Sequence, residues 1–426
     1  MRSSLFPLLT FLLLLSGCPQ QATNSESPCP GPECPENEEI ISAPAGLYAL
    51  ENAPEGIPKA WISVDGTWRV VILTSNGLYE GRGANGSQLS WSNLIEWTTQ
   101  VVSAPKSFDA MEGLDGSIHA IFEKDGDLWY YNSLTFGASN TIIETEVGNN
   151  PRPALIIDSN DTVHVSYFSE SKGALRYAML TASAWDAETI PLPTSPCPSD
   201  DCGPDLAYGA YSDIGLQGGA ISVTFYDQGR GNLCFSTRLA ETWVGQVLDG
   251  EDRLTGVDSG DVGLWPSMTF DEKGNISVSY FGKTSGDLRF AFLSGGELKP
   301  IQVDDGLIYD FGDQPIENAE KIDPSVSDTE VITNTSTGAF SQLLSNPAGQ
   351  PIIFYLDAHI PGILRAERRG NQWTLTQLPI SRPGGFHISG SSGPSEERLV
   401  VFQTWELEDD GRTARKGLMA WYEPAQ

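Results

Sequence analysis

Short alternating runs of apolar and polar residues dominate the chain after residue 44. In Val163-His-Val-Ser-Tyr-Phe168, Val163, Val165 and Tyr167 share one face, and His164, Ser166 and Phe168 share the other. A period of two predicts a β-strand, and apolar residues on both faces predict a sheet covered on both sides. Pro153-Ala-Leu-Ile-Ile-Asp158 precedes this run and Gly173-Ala-Leu-Arg-Tyr-Ala178 follows it. The same three parts return as Pro266-Ser-Met-Thr-Phe-Asp271, Ile276-Ser-Val-Ser-Tyr-Phe281 and Gly286-Asp-Leu-Arg-Phe-Ala291. Weaker copies are Gly126-Asp-Leu-Trp-Tyr-Tyr131, Gly231-Asn-Leu-Cys-Phe-Ser236 and Gly362-Ile-Leu-Arg365. Their marker leucines recur about every 50 residues, with a longer gap before Leu364. A fourth strand follows most copies and often carries a tryptophan: Trp91, Trp185, Trp243 or Trp373. Asp65-Gly66, Asp115-Gly116, Asp158-Ser-Asn-Asp161 and Asp271-Glu-Lys-Gly274 supply the turns between first and second strands. Asp bonds nearby backbone N–H groups there, and Gly or Asn accepts positive φ.

Four short strands per unit, repeated along the chain, predict an all-β fold: a single β-propeller over residues 44–424. Units begin near Lys59, Lys106, Arg152, Asp205, Trp265, Asp323 and Gly384, which predicts seven four-stranded blades. The first, sixth and last units match poorly, so six and eight blades are the alternatives. The last unit supplies three strands, ending at Gly417-Leu-Met-Ala-Trp-Tyr422. The N-terminal run Gly46-Leu-Tyr-Ala-Leu-Glu51 is expected to supply the fourth, tying the chain ends together and removing an exposed edge.

The first residues have a different character. Arg2 is followed by an apolar stretch from Leu5 to Leu15, too short to span a bilayer, and then by Leu15-Ser16-Gly17-Cys18. This tetrad resembles the bacterial lipobox. The resemblance implies a signal peptide over residues 1–17, palmitate-type acylation at Cys18 and a lipid-anchored envelope protein. Pro19, in place of an inner-membrane-retaining Asp, favours the outer membrane or cell surface. Residues 18–43, rich in Pro, Glu, Ser, Asn and Gln, read as a disordered acylated tether. In an exported protein Cys29/Cys34 and Cys197/Cys202, with equal spacing, are expected to close two local disulfide loops. A joint four-thiolate zinc site is the alternative. Cys234 lies in a predicted strand and reads as a buried, inert thiol.

Composition narrows the function classes. There are 56 Asp+Glu against 25 Lys+Arg, a formal net charge of −31. Such a surface repels phosphate backbones, which excludes nucleic acid as a partner and limits membrane contact to the lipid. The apolar fraction of 39%, with eleven Trp, excludes a disordered chain. The acid surplus is expected on rims, outer strands and tether, keeping a monomeric protein soluble.

The segment Val257-Asp-Ser-Gly-Asp-Val-Gly-Leu-Trp-Pro-Ser267, running on to Ala291, resembles a tandem repeat of exported bacterial proteins. These are sialidase-like or BNR-like propellers, mostly without assigned function, and the resemblance implies fold more than activity. Sialidases hold a carboxylate with three arginines, and Arg176, Arg289 and Arg365 recur in the Gly-x-Leu-Arg slot. Trp129 and Cys234 replace Arg in other copies, however, and no Ser-x-Asp-x-Gly-x-x-Trp box occurs, so packing along the blades is expected. His119 and His164 occupy equivalent strand positions and read as structural; His359 and His387 are the better candidates. Loops joining blades, with those after each second strand, share one rim. That rim is expected to gather Arg152, Tyr226, Asp227, Trp265, Asp323, Asp357, His359 and Trp405, a set suited to sugar or peptide recognition. Asp249, Asp252, Asp258 and Asp261 form an acidic loop system that could supply oxygen ligands to Ca²⁺, the one cofactor considered. No converging acid/base set is evident, so a non-catalytic module binding glycan or protein is expected. A glycosidase or polysaccharide lyase on the same rim is one alternative, and a scaffold subunit of an envelope complex is another.

Overall fold

The computed structural model describes residues 45–425, except 85–88, 98–106, 136–140, 183, 194–206, 253–256, 272, 295–296, 306–336, 347–348, 359–361, 381–383 and 408–412. Among the described residues, seven antiparallel four-stranded sheets follow one another as the blades of a propeller. Blade 1 runs Ile57–Ile62, Trp68–Thr74, Gly77–Gly83 and Ser90–Glu96; blade 2 runs Phe108–Glu112, Ile118–Lys124, Asp127–Asn132 and Thr141–Glu144. Blade 3 is Ala154–Ile157, Val163–Ser169, Ala174–Leu180 and Trp185–Thr189; blade 4 is Ala210–Gln217, Ala220–Asp227, Asn232–Leu239 and Thr242–Asp249. Blade 5 is Val262–Phe270, Ile276–Gly282, Asp287–Ser294 and Glu297–Asp304; blade 6 is Thr337–Ser345, Pro351–Asp357, Gly362–Arg369 and Gln372–Gln377. Blade 7 combines Gly384–Ser392, Arg398–Leu407 and Thr413–Glu423 with the N-terminal strand Gly46–Ala49. Gly46 lies opposite Tyr422 and Ala49 opposite Met419, so the expected closing strand is present. The fourth blade starts at Ala210 and the sixth at Thr337, later than the sequence pattern placed them. Asp323 and Lys106 lie outside the described residues.

The two-sided apolar pattern of the second strands accounts for the ring. Every residue of Trp68–Thr74, Ile276–Gly282 and Pro351–Asp357 is buried. A sheet of this kind must be covered on both faces, and each blade is covered by its two neighbours. At the junction of blades 7 and 1, Leu50, Trp68, Val70, Leu399, Val401 and Tyr422 form one cluster. Each such large apolar side chain contributes about 1.5–3 kcal/mol on burial.

Specific contacts recur at the junctions. The outer-strand tryptophans pack edge-on against third-strand rings of the preceding blade: Trp185 on Tyr130 at 5.2 Å, Trp243 on Tyr177 at 5.3 Å and Trp373 on Phe290 at 5.2 Å. Second-strand tyrosines donate to acids ending the preceding blade: Tyr167 to Glu144 (2.5 Å), Tyr280 to Asp249 (2.7 Å) and Tyr355 to Asp304 (2.7 Å). Arg176 and Arg289 bind the same two acids, Glu144 at 3.1 Å and Asp249 at 3.2 Å. The Gly-x-Leu-Arg arginines are thus ties between blades. The marker leucines have a matching role. A Cβ on Gly209 would stand 2.3 Å from Leu175, and one on Gly338 would stand 2.6 Å from Leu288, so each leucine backbone abuts a glycine of the next blade.

One expectation needs correction. The acid surplus does not lie only on the surface: Asp227, Asp249, Asp287 and Asp304 are each at most 6% exposed. Tyrosine O–H, guanidinium and backbone N–H donors at the junctions offset the cost of burying these carboxylates. Cys234 is fully buried and its thiol is pushed up by desolvation, in keeping with an inert residue.

Closure by the N-terminal strand carries a measurable consequence. Trp68→Ala, which empties the centre of the blade 7/blade 1 junction, is expected to cost about 3–5 kcal/mol, read from urea unfolding. Removing residues 1–52 is expected to lower the urea midpoint further. An unchanged midpoint would show that blade 7 closes without that strand.

Candidate functional site: the axial cavity

The first strands of all seven blades line a cavity of about 700 Å³ on the propeller axis. Each blade contributes the residue six positions before its first turn: Ile57, Ser107, Arg152, Tyr211, Trp265, Phe340 and His387. In blades 3 to 7 this residue has a left-handed backbone, with φ of +44° at Arg152, +54° at Tyr211, +48° at Trp265, +53° at Phe340 and +48° at His387. A non-glycine residue held there costs on the order of 1–3 kcal/mol, and strain of this kind concentrates at functional sites. The five side chains form a continuous arc. The Arg152 guanidinium lies 3.2 Å above the centre of the Tyr211 ring. Tyr211 meets Trp265 at 5.3 Å, Trp265 meets Phe340 at 4.8 Å and Phe340 meets His387 at 5.6 Å. The Trp265 indole N–H is buried without an acceptor.

Two residues further along each first strand stands a second ring: Lys59, Asp109, Ala154, Asp213, Ser267, Gln342 and Ser389. The inner strand is the edge of its sheet, so part of its backbone has no strand partner. Side chains of this second ring accept N–H groups from the following blade. Asp109 accepts from Leu155 (2.8 Å), Asp213 from Met268 (2.6 Å), Ser267 from Leu343 (3.0 Å) and Ser389 from Ala60 (3.1 Å). Lys59 and Ala154 have no acceptor to offer. After each of them an aspartate uses its second oxygen for the N–H of its own following residue, Asp109 for Ala110 (3.0 Å) and Asp213 for Ile214 (2.9 Å). Asp109 also pairs with Lys59 at 3.0 Å. Desolvation pushes Asp213 up to about 6; the charge of Asp109 adds to the rise, while the Met268 N–H and Lys59 oppose it.

The opposite end of the cavity is built by blades 7, 1 and 2. Glu112 there accepts from Trp61 (3.0 Å), Ser63 (2.6 Å) and Arg69 (2.8 Å), and Arg69 also binds Glu80 at 2.8 Å.

Arg152 and Trp265, of the residues assigned to the rim, line this cavity. Tyr226 and Asp227 do not. Tyr226 is buried and donates to Asp261 at 2.7 Å, and Asp227 caps the Gly229 N–H at 3.0 Å and meets Arg230 at 3.5 Å. Asp357 is buried at the end of its strand, opposite Thr337 and Gly362. Trp405 is opposite Arg415 in the blade 7 sheet, and nothing is described of its side chain. His359 and Asp323 lie outside the described residues, as do Cys18, Cys29, Cys34, Cys197 and Cys202.

The acidic residues read as a calcium loop turn to separate partners. Asp249 faces Tyr280 and Arg289, Asp258 caps the Gly260 N–H, and Asp261 holds Tyr226 and Lys283. Asp252 is opposite Val257 in a short hairpin and its side chain is not described. No group of three or more His, Cys, Asp or Glu is placed to hold a metal ion among the described residues. His119 and His164 bind Tyr130 and Tyr177 at 2.7 and 2.6 Å, and burial lowers the pKa of both imidazoles.

The sequence pattern singles out His387 but not its neighbours Tyr211 and Phe340. The sequence does carry a signal for them. Gly209-Ala-Tyr211, Gly263-Leu-Trp265, Gly338-Ala-Phe340 and Gly385-Phe-His387 share a Gly-x-ring pattern at the same distance before the turn.

No protein-family model matches the chain, and no curated protein matches it in sequence. Similar solved structures are propellers. A streptogramin B lyase is 12% identical with a TM-score of 0.50, over 88% of this chain and 97% of that one. The polysaccharide lyase Uly1 is 10% identical with a TM-score of 0.50, over 89% and 92%. The intramolecular trans-sialidase of Ruminococcus gnavus is 10% identical with a TM-score of 0.42, over 89% and 96%. At these identities the likeness is one of fold.

The raised Asp213 pKa predicts a pH signature. The folded-state value of about 6 lies above the ordinary 3.8, so stability from this group is full below about pH 4 and is lost as pH rises through 6. The stability of the wild type relative to Asp213→Asn is therefore expected to fall between pH 4 and pH 6.5. Parallel stability curves for the two proteins would contradict the assignment.

Proposed function

We propose that this chain is an exported, lipid-anchored envelope protein whose propeller binds a glycan in its axial cavity without chemical turnover. The observation that carries this reading is the axial cavity lined by the first strands of all seven blades, closed on one side by the packed arc Arg152–Tyr211–Trp265–Phe340–His387 and presenting Trp61 with serine hydroxyls on the other. Ring faces and aligned polar groups in a concave site suit sugar recognition. A cavity of about 700 Å³ takes the end of a saccharide chain more readily than a protein surface. The carboxylates best placed for acid/base work, Asp109 and Asp213, already accept backbone N–H groups with both oxygens. That engagement favours binding over hydrolysis or elimination. The lipobox-like Leu15-Ser16-Gly17-Cys18 and the polar tether support attachment at the outer membrane or cell surface, as a monomer that touches the membrane through its lipid alone.

Two measurements test this reading. Metabolic labelling with an alkyne palmitate analogue is expected to mark the wild type and not Cys18→Ser. A glycan array run beside a chromogenic glycoside panel is expected to show binding without turnover. Robust turnover would replace the binding module with an enzyme, and binding to proteins alone would remove the glycan.

A further inference from the structure

The cavity has two unlike ends. Among the described residues that line it, the exposed ones are Val64, Leu114, Gly116 and Ser392. Val64, Leu114 and Gly116 belong to turns between first and second strands in blades 1 and 2, and Ser392 ends the first strand of blade 7, all at the end opposite the aromatic arc. Val64 and Leu114 follow Ser63 and Gly113 at equivalent turn positions and are 91% and 72% exposed. Trp61 and Met111 stand half-buried just inside them. At the arc end no described lining residue is exposed: Trp265 and Phe340, packed ring against ring, are only 9% and 7% exposed, and Arg152, Tyr211 and His387 are half-buried. Among the described residues, the open mouth therefore lies on the turn face, away from the rim of blade-to-blade connections where the sequence pattern placed a binding surface.

The wall inside that mouth carries the carboxylates Asp109, Glu112 and Asp213 against the cations Lys59 and Arg152. Lys59 is set against Asp109, Arg69 against Glu80 and Glu112, and Arg152 against the face of Tyr211. Asp109, Asp213 and Glu112 each accept two or more donors from the protein. Acids slightly outnumber cations, which opposes a ligand carboxylate, and a ligand ammonium group would have to displace the protein donors that these acids already hold. Hydroxyl protons remain to serve a ligand. The Ser389 and Ser391 oxygens accept the Ala60 and Ile62 N–H groups at 3.1 and 3.2 Å, which leaves their O–H groups to donate. Trp61 has its N–H anchored on Glu112, which holds the indole in place at the entrance.

We infer that the cavity admits the end of a neutral glycan chain through the mouth framed by blades 7, 1 and 2, with a sugar ring stacked on Trp61 and its oxygens accepting from Ser389 and Ser391. This inference rests on the glycan-binding reading above and adds the entrance and the charge class of the sugar.

Isothermal titration of the mature protein with maltohexaose, cellohexaose, xylohexaose, mannohexaose and an oligogalacturonate of equal length tests it. At least one neutral hexamer is expected to bind and the oligogalacturonate is not, with affinity little changed between 50 and 500 mM NaCl, roughly the range over which exposed charge pairs are screened out. Trp61→Ala is expected to reduce affinity about tenfold or more, and Trp61→Phe to restore most of it, because the ring face matters more than the N–H. Leu114→Cys carrying a bulky maleimide is expected to abolish binding, against maleimide-treated wild type and labelled Leu239→Cys as references. Leu114 is an exposed turn residue, so this arm stands even if Trp61→Ala fails to fold. Preference for the oligogalacturonate, or binding unaffected by the label at position 114, would overturn the inference and leave the glycan reading intact. Failure of saccharides of either charge to bind would overturn both.

Discussion

No blade of this propeller can bury itself. Its second strand is apolar on both faces, so each sheet needs a neighbour on either side, and a row of such sheets has two unsatisfied ends until it closes. Pairing of Gly46–Ala49 with Thr413–Glu423 completes the last sheet and brings Leu50 into the blade 7/blade 1 junction. The repeated tryptophan-on-ring and tyrosine-to-acid contacts are the means by which one junction after another is filled. The same constraint explains how a chain of net charge −31 tolerates acids inside. A carboxylate at the end of one blade meets hydroxyl and guanidinium donors of the next, where its charge is compensated locally.

Closing the ring creates a second requirement at its centre. Seven inner strands present sheet edges to a narrow cavity where backbone N–H groups need acceptors. Aspartate and serine side chains supply them from the neighbouring blade, and where Lys59 or Ala154 breaks the sequence, the next aspartate accepts for both itself and its neighbour. This accounts for two carboxylates deep in a cavity that might otherwise suggest acid/base chemistry. It also ties the cavity wall to the architecture, because the polar ring stands on the first strands and bonds each blade to the next.

Much of the fold was legible because its signals are local. Alternation in Val163–Ser169 and Ile276–Gly282, the Asp-Gly turns and the Gly-x-Leu markers each depend on residues within a few positions of one another. Blade 6 was displaced in the sequence reading because a long insertion separates Leu288 from Leu364 and breaks the spacing. The site was legible only in part. Arg152 and Trp265 stand in the two best-matched repeats, before Pro153 and Pro266, and so drew notice. Tyr211, Phe340 and His387 fill the same slot in divergent copies that lack the proline. Tyr226, Asp227 and Asp357 have the composition of a binding rim, yet they end second strands, which lie one layer out from the axis and are packed between blades.

By itself the sequence determined the all-β class, the four-strand unit, the seven blades and the closing strand, because period, turn chemistry and repeat are properties of neighbouring residues. Only the tertiary structure decided which side chains meet on the axis, which acids are buried and which mouth of the cavity is open. Those depend on a left-handed residue at the start of the first strand in blades 3 to 7, with a shift of strand register beside it in blades 4 to 7, and on how seven divergent copies align around a common axis. A residue six positions before its turn acquires a shared purpose only when the ring brings it beside its counterparts.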